Sequence, residues 1–283
     1  MVAARDLPGF EERLEVVKGV RMRYLVAGLG PTVVLVHGLG GAAANWIELA
    51  PELARSRRVI VPELPGHGGS APLAAAPSLS PYADRVAGIV EREGVVDAAA
   101  VGHSFGGSVV LRLAMRHRHL VRAVVLAGAT GISSRRRAAA YGLRLSALLK
   151  PGRRIAPFRR RISVSPFFRV VAFGGWGASD PVALAPRAAE AFLAGAAAYS
   201  DTASAARALL LEDARAELDR VACPCLVLWG ARDAQLGLED AFEYARRLDA
   251  DLRVIADCGH LLIAERADAC LDAIDGFLRA HGD

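Results

Sequence analysis

Ala98-Ala-Ala-Val-Gly102-His103-Ser104-Phe105-Gly106-Gly107 joins a short apolar run to a stretch of helical periodicity, Phe105 to His117. The pattern reads as strand, sharp turn, helix. With 28 glycines in 283 residues, the bare spacing Gly-x-Ser-x-Gly is weak, and the strand before it and helix behind it give it meaning. A turn this tight holds Ser104 in strained backbone geometry, and side chains at positions 102 and 106 would collide with neighbouring backbone. The free N–H groups and positive dipole end of the helix then face any anion formed beside Ser104.

Similar apolar runs lie on both sides of this one. Thr32 to Val36, Arg58 to Pro62, Ala123 to Ala127, Cys225 to Trp229 and Leu252 to Ala256 are short and mostly end in Gly-rich or polar turns. Between them run helix-patterned stretches, Asn45 to Ala54, Pro81 to Glu93, Leu238 to Leu248 and Ala264 to Ala280. Strand and helix alternate, so the expected fold class is α/β: a mostly parallel sheet flanked by helices. Arg13 to Val17 and Val20 to Val26, joined by Lys18-Gly19, predict an antiparallel hairpin at one edge. The alternation fails between about Thr130 and Leu211, where Ala-rich helical stretches such as Arg187 to Ala198 take over. The expected organisation is a core of residues 1–130 and 212–283 with an inserted helical cap at 131–211.

Composition bounds the function. At 53% hydrophobic and 23% charged, the chain is neither disordered nor a coiled coil. No apolar run reaches the ~18 residues of a membrane span, and Met1 to Asp6 leads into Pro, Gly and charges, so a cytoplasmic protein is expected. Cys223, Cys225, Cys258 and Cys270 are too few for a disulfide scaffold and are expected as free thiols. Cys223-Pro224-Cys225 lacks the spacing of a zinc site, and neither metal nor cofactor is expected.

A serine hydroxyl needs a base to take its proton. Of seven histidines, His260 follows the last expected strand, on the sheet edge where Ser104 lies. His103 adjoins the serine and is expected to face away from it. The acid that orients the base is expected at Asp233, in Trp229-Gly230-Ala231-Arg232-Asp233, just past the Cys225 strand. The competing loop after Ala127 offers no acid before Asp180, and Asp257, three residues from His260, is expected to cap a turn. The chain order Ser104, Asp233, His260 differs from the chymotrypsin and subtilisin orders.

Taken together, His37-Gly38-Leu39-Gly40-Gly41, Pro62-Glu63-Leu64-Pro65-Gly66-His67-Gly68-Gly69-Ser70, Gly102 to Gly107, Gly230 to Asp233 and Cys258-Gly259-His260 resemble the α/β-hydrolase superfamily over nearly the whole chain. The resemblance implies backbone N–H donors for an oxyanion at Leu39 and Phe105, with their side chains walling an acyl pocket. Glu63 stands where the family usually has Asp, and is expected to shift a loop without altering chemistry. The activity implied is ester hydrolysis of a small-molecule acyl substrate through an acyl-enzyme. Carbon–carbon bond hydrolysis of meta-cleavage type comes second, because Leu261 follows His260 where those enzymes usually carry Trp. Thioester hydrolysis, acyl transfer and a triad-bearing receptor with little turnover remain open.

The net charge of +5 is unevenly spread. From Gly131 to Ser179 there are eleven basic residues and no Asp or Glu, which leaves the rest of the chain acidic overall. A preference for Arg, 33 against two Lys, explains the choice of cation but not the missing acids. Phe158, Phe167, Phe168, Phe173 and Trp176 lie among these cations. The mixture suits an anionic substrate, an acyl carrier or a membrane surface, and nucleic acid is not expected. Substrate identity and oligomeric state leave no mark in the sequence.

Overall fold

The computed structural model describes residues 7–74, 78–132 and 154–281. Arg135, Arg136, Arg137, Arg144, Lys150 and Arg153 of the basic segment lie outside the described residues. Eight strands form one sheet in the order β1-β2-β4-β3-β5-β6-β7-β8. They are β1 (Glu11–Val17), β2 (Val20–Ala27), β3 (Thr32–Val36), β4 (Arg58–Pro62), β5 (Ala98–His103), β6 (Val121–Ala127), β7 (Cys225–Gly230) and β8 (Asp251–Ile255). The first two pair antiparallel with each other, and β2 pairs antiparallel with β4. From β4 to β8 every pairing is parallel.

Each central strand is apolar on both faces, and the two-residue period sends alternate side chains into two cores. Val34, Val36, Ala100, Val124, Leu126, Val227 and Trp229 enter one core, with Tyr82, Val86, Val109, Leu113 and Tyr244 of the helices over that face. Val33, Leu35, Ala99, Val101, Val125, Leu226 and Leu228 enter the other, with Trp46, Leu53, Ile274 and Phe277. Burying one Val or Leu is worth about 1.5–3 kcal/mol. β8 differs: as the last strand of the sheet it leaves its residues exposed or half-buried.

The helices follow the expected periodicity with two corrections. Asn45 to Ala54 is not one helix: a 3₁₀ turn at Ala43–Trp46 gives way to α1 (Ala50–Leu53), with Pro51 in its first turn. Pro51 has no N–H to continue a helix and fits only at a start. Next come α2 (Ser80–Arg92) and α3 (Phe105–Arg116). Residues 154–211 contribute α4 (Arg159–Val164), α5 (Pro166–Phe173), α6 (Pro186–Gly195) and α7 (Ala203–Leu211). The chain then forms α8 (Leu238–Leu248), α9 (Leu262–Glu265) and α10 (Ala267–Ala280). Here the second correction falls: the run from Ala264 to Ala280 breaks at Arg266, whose backbone leaves helical geometry at φ −135°, ψ 54°. Among the described residues no helix is long and apolar enough to cross a membrane.

The helices of residues 154–211 pack on loops at the C-terminal ends of the parallel strands. Phe173, Ala178, Leu184, Ala188 and Leu193 form an apolar cluster with Leu261 and Ala264. Gly68 N–H donates to the Ala198 carbonyl, and Leu261 N–H donates to the Gly177 carbonyl at 2.9 Å. The ring of Phe192 meets His103 edge-on, 6.4 Å between centroids.

Candidate active site

Ser104 lies between β5 and α3 with φ 53° and ψ −118°, a conformation that costs a residue with a side chain of order 1–3 kcal/mol. The turn that imposes it is tight. A Cβ on Gly102 would lie 2.3 Å from the Gly106 carbonyl oxygen, and one on Gly106 only 2.1 Å from that of Val36. Both glycines are therefore required by backbone contact. Ser104 N–H donates to the Ala127 carbonyl at 3.0 Å, tying the turn to β6.

The sheet brings the other two expected residues to Ser104. His260 follows β8 and Asp233 follows β7, so all three stand at the C-terminal ends of parallel strands. Nε2 of His260 is 2.9 Å from Ser104 Oγ, and its Nδ1 is 2.7 Å from Asp233 Oδ2. Asp233 Oδ1 accepts the N–H groups of Gln235 and Leu236 at 2.8 and 2.9 Å. Burial works against charge on Asp233, but the charge and hydrogen bond of His260 and these two N–H groups outweigh it and hold the carboxyl below its ordinary pKa. An ionised Asp233 fixes the proton of His260 on Nδ1 and leaves Nε2 to accept from the serine. Asp257 takes no part: it adopts a left-handed backbone, φ 48°, and pairs with Arg232 at 2.6 Å.

The loop carrying Leu39 abuts the serine, because a Cβ on Gly38 would lie 3.2 Å from Ser104 Cβ. Phe105 is the first residue of α3, where a helix has free N–H groups. Neither Leu39 nor Phe105 N–H has an acceptor among the described residues. The expectation for the Phe105 side chain is corrected. Its ring is fully buried, edge-on to Tyr82 at 5.6 Å and stacked on His67 at 6.5 Å, so it packs in the core and walls no open pocket.

Three further groups hold the site in place. His37 donates Nδ1–H to the Gly38 carbonyl at 2.8 Å and accepts Leu64 N–H on Nε2 at 3.0 Å, joining two loops. Glu63 is completely buried, pairs with Arg23 at 3.0 Å and accepts Gly69 N–H at 2.6 Å and Ala43 N–H at 3.3 Å. That carboxylate braces loops, and it touches neither Ser104 nor His260. Glu265, buried at the end of α9, accepts the N–H groups of Gly259, Asp180 and Ser179 at 2.8, 2.6 and 3.2 Å. It joins the His260 loop to residues 179–180. Sequence reasoning missed Glu265; the available signal was a lone acid closing the apolar run Leu261-Leu-Ile-Ala264. Sequence reasoning also gave His103 no partner. Its Nε2–H donates to the His260 carbonyl at 2.9 Å, and the two rings are 5.2 Å apart.

All four cysteines are free thiols, three of them buried. Among the described residues no group of three or more His, Cys, Asp or Glu could hold a metal ion.

This sheet, with a serine at a strained strand-to-helix turn, defines an α/β-type hydrolase architecture. The sequence profile of the Alpha/beta hydrolase family matches residues 33–273, and the chain belongs to that family. It is 40% identical over 119 residues to 2-hydroxymuconate semialdehyde hydrolase from Pseudomonas sp. (strain CF600), 41% of this chain and 42% of that protein. The match thus spans less than half of that relative. It is 34% identical over 269 residues to the pimeloyl-[acyl-carrier protein] methyl ester esterase of Aromatoleum aromaticum, 88% of this chain and 98% of that protein. In structure it is similar to a thermophilic esterase from Thermogutta terrifontis, with TM-score 0.75 and 24% identity over 96% of this chain and 100% of that one. Membership of the family supports hydrolase chemistry and leaves the bond cleaved unspecified.

Proposed function

We propose that the protein is a serine hydrolase that cleaves a carboxylic ester through an acyl-enzyme on Ser104, with His260 as base and Asp233 as its orienting acid. The observation that carries this reading is the pair of hydrogen bonds from Ser104 to His260 and from His260 to Asp233, 2.9 and 2.7 Å. His260 Nε2 takes the Ser104 proton as Oγ attacks the acyl carbonyl. The resulting oxyanion is held by the N–H groups of Leu39 and Phe105, aided by the N-terminal dipole of α3. His260 then protonates the departing alcohol, and in the second half it deprotonates the water that releases the acid. Asp233 stays ionised and stabilises the imidazolium between the two steps.

Ester cleavage is favoured by the 34% identity to a methyl ester esterase, which extends over nearly all of that protein. A second reading, carbon–carbon bond hydrolysis, is favoured by the 40% identity to 2-hydroxymuconate semialdehyde hydrolase. Helices α4 to α7 would act as the cap that sets substrate range. A chain-length series of p-nitrophenyl esters, acyl-CoA thioesters and a vinylogous diketone, each with Ser104→Ala as blank, separates the readings. Many turnovers per Ser104 on an ester, absent in the Ser104→Ala and His260→Ala proteins, are expected. Ester turnover that survives Ser104→Ala would overturn the proposal, and release of about one product equivalent per chain would favour a receptor.

A further inference from the structure

Helix α5 is patterned inside out. A short surface helix normally turns its charges to water and its apolar side chains inward. Here Phe167 and Val171 are 70% and 67% exposed, Val170 between them is also exposed, and Arg169, the one charge of the helix, is 7% exposed. Arg169 is spent inside, donating to the Leu184 carbonyl. Positions 167, 170 and 171 share one helix face, so the exposed apolar groups form a patch. The neighbouring helix α4 and its approach extend it with Phe158 and Val164, both at least 60% exposed.

Cations border this patch. Residues 154–176 contain five arginines and no Asp or Glu. Arg154, Arg160 and Arg161 are exposed, and the Arg161 guanidinium lies over the Phe168 ring, 5.5 Å from its centroid. Among the described residues Glu190 of α6 reaches them, 3.5 Å from Arg160 and 3.4 Å from Arg159. Trp176, half-exposed beyond α5, donates its ring N–H to the Ala172 carbonyl, and its ring centroid lies 6.2 Å from that of Phe173.

We infer that the outer face of α4 and α5 is a docking surface for an anionic lipid bilayer. Protruding aliphatic and aromatic side chains enter the headgroup and acyl boundary, while guanidinium groups around them meet lipid phosphates. Water gives such a face no reason to exist, and a purely electrostatic partner would leave Phe167, Val170 and Val171 unexplained. The charge bias selects anionic lipid over neutral. The surface sits on the segment that carries Gly177, whose carbonyl accepts Leu261 N–H next to His260, so a docked bilayer lies against the elements that enclose the site. This inference stands apart from the proposed chemistry, since a Ser104→Ala protein would bind in the same way.

The protein carries its own reporter. Trp46 and Trp229 are fully buried, which leaves Trp176 as the tryptophan that a surface contact would alter. Vesicles of phosphatidylcholine alone and of equal parts phosphatidylcholine and phosphatidylglycerol are mixed with the full chain, and binding is read by co-sedimentation and tryptophan emission. Sedimentation with the anionic vesicles and a blue shift are expected, both weakening as salt rises. Replacing Arg154, Arg160 and Arg161 by Gln should weaken binding about fivefold per cation. Phe167→Ser combined with Val171→Ser should abolish the blue shift while leaving the far-ultraviolet circular dichroism and the urea midpoint unchanged, which separates lost docking from unfolding. No co-sedimentation with anionic vesicles, or binding untouched by both variants, would overturn the inference. So would a blue shift produced by a purified acidic carrier protein and not by vesicles.

Discussion

The Nε2–H of His103 donates to the carbonyl oxygen of His260 at 2.9 Å, so the residue before Ser104 holds the backbone of the residue that Ser104 hydrogen-bonds. The expected consequence is a positioning effect. His103→Ala leaves a buried carbonyl unpaired, at about 1–3 kcal/mol, and lets the His260 ring drift from Ser104. We expect kcat to fall by about tenfold or more with KM changed little, because misplacing a catalytic group by a fraction of an ångström is costly. His103→Gln, which keeps a donor, should recover part of the loss. A proportional change in kcat and KM in both variants would argue against this role.

Strain at Ser104 predicts an unusual order of stability. Glycine accepts φ 53° and ψ −118° without a Cβ penalty, whereas alanine keeps it. After allowing ~0.5–1 kcal/mol for the extra freedom of an unfolded glycine, Ser104→Gly should be about 1 kcal/mol more stable than Ser104→Ala, with both proteins inactive. Urea unfolding of the pair decides it; an alanine variant as stable as the glycine one would mean that the turn is unstrained.

Three histidines give the fold an acid sensitivity that starts near neutral pH. Burial pushes His37 and His103 down to about 3 and His67 down to about 4. Unfolded histidine titrates near ~6.5, so between those values the unfolded chain binds more protons than the folded one. Their contribution is complete above about pH 6.5 and is lost as pH falls toward the folded values, at up to ~1.4 kcal/mol per pH unit for each group. Asp233, with its lowered pKa, adds a loss only below about pH 4. The urea midpoint should therefore drop between about pH 7 and about pH 5. His67→Phe should make the drop shallower, since Nε2 of His67 has no hydrogen-bond partner among the described residues. Equal midpoints at the two pH values would show that these side chains titrate normally.

Glu265 gathers three N–H groups from two parts of the chain. Glu265→Gln replaces one acceptor oxygen by a donor that faces other donors, and should cost about 2–3 kcal/mol. Because two of the three lie at Ser179 and Asp180, limited proteolysis should cut residues 154–211 sooner in the variant, and ester turnover should fall alongside. Unchanged cleavage kinetics would show that Glu265 braces only the His260 loop.

How much of this was legible in the sequence depended on distance along the chain. Strands buried on both faces announce themselves as unbroken apolar runs, the first two strands were readable from hairpin alternation, and the half-exposed β8 from a short, mostly apolar run. Ser104, Asp233 and His260 could be found because each follows a strand end, and parallel strands place those ends along one edge. Local breaks were harder: Pro51 and the turn at Arg266 divide stretches whose apolar period continues across the break. Contacts spanning the chain left no trace. His103 and His260 are 157 residues apart, and nothing in His-Ser-Phe reveals that its imidazole will meet a distant carbonyl. The Phe105 side chain was misread for a related reason, since the backbone role expected of it said nothing about where its ring would find space.

Parallel pairing also sets a timetable for biosynthesis. The turn at Ser104 rests on β3, β5 and β6, but His260 lies 156 residues beyond Ser104. At ~5–20 residues per second, a ribosome needs on the order of ten seconds or more to add that stretch. During that interval the nascent chain would hold Ser104 without its proposed base, which arrives only with the loop after β8. On the proposed roles, translation order would act as a safety catch, since a product that ends before the last strand would hold Ser104 without its base.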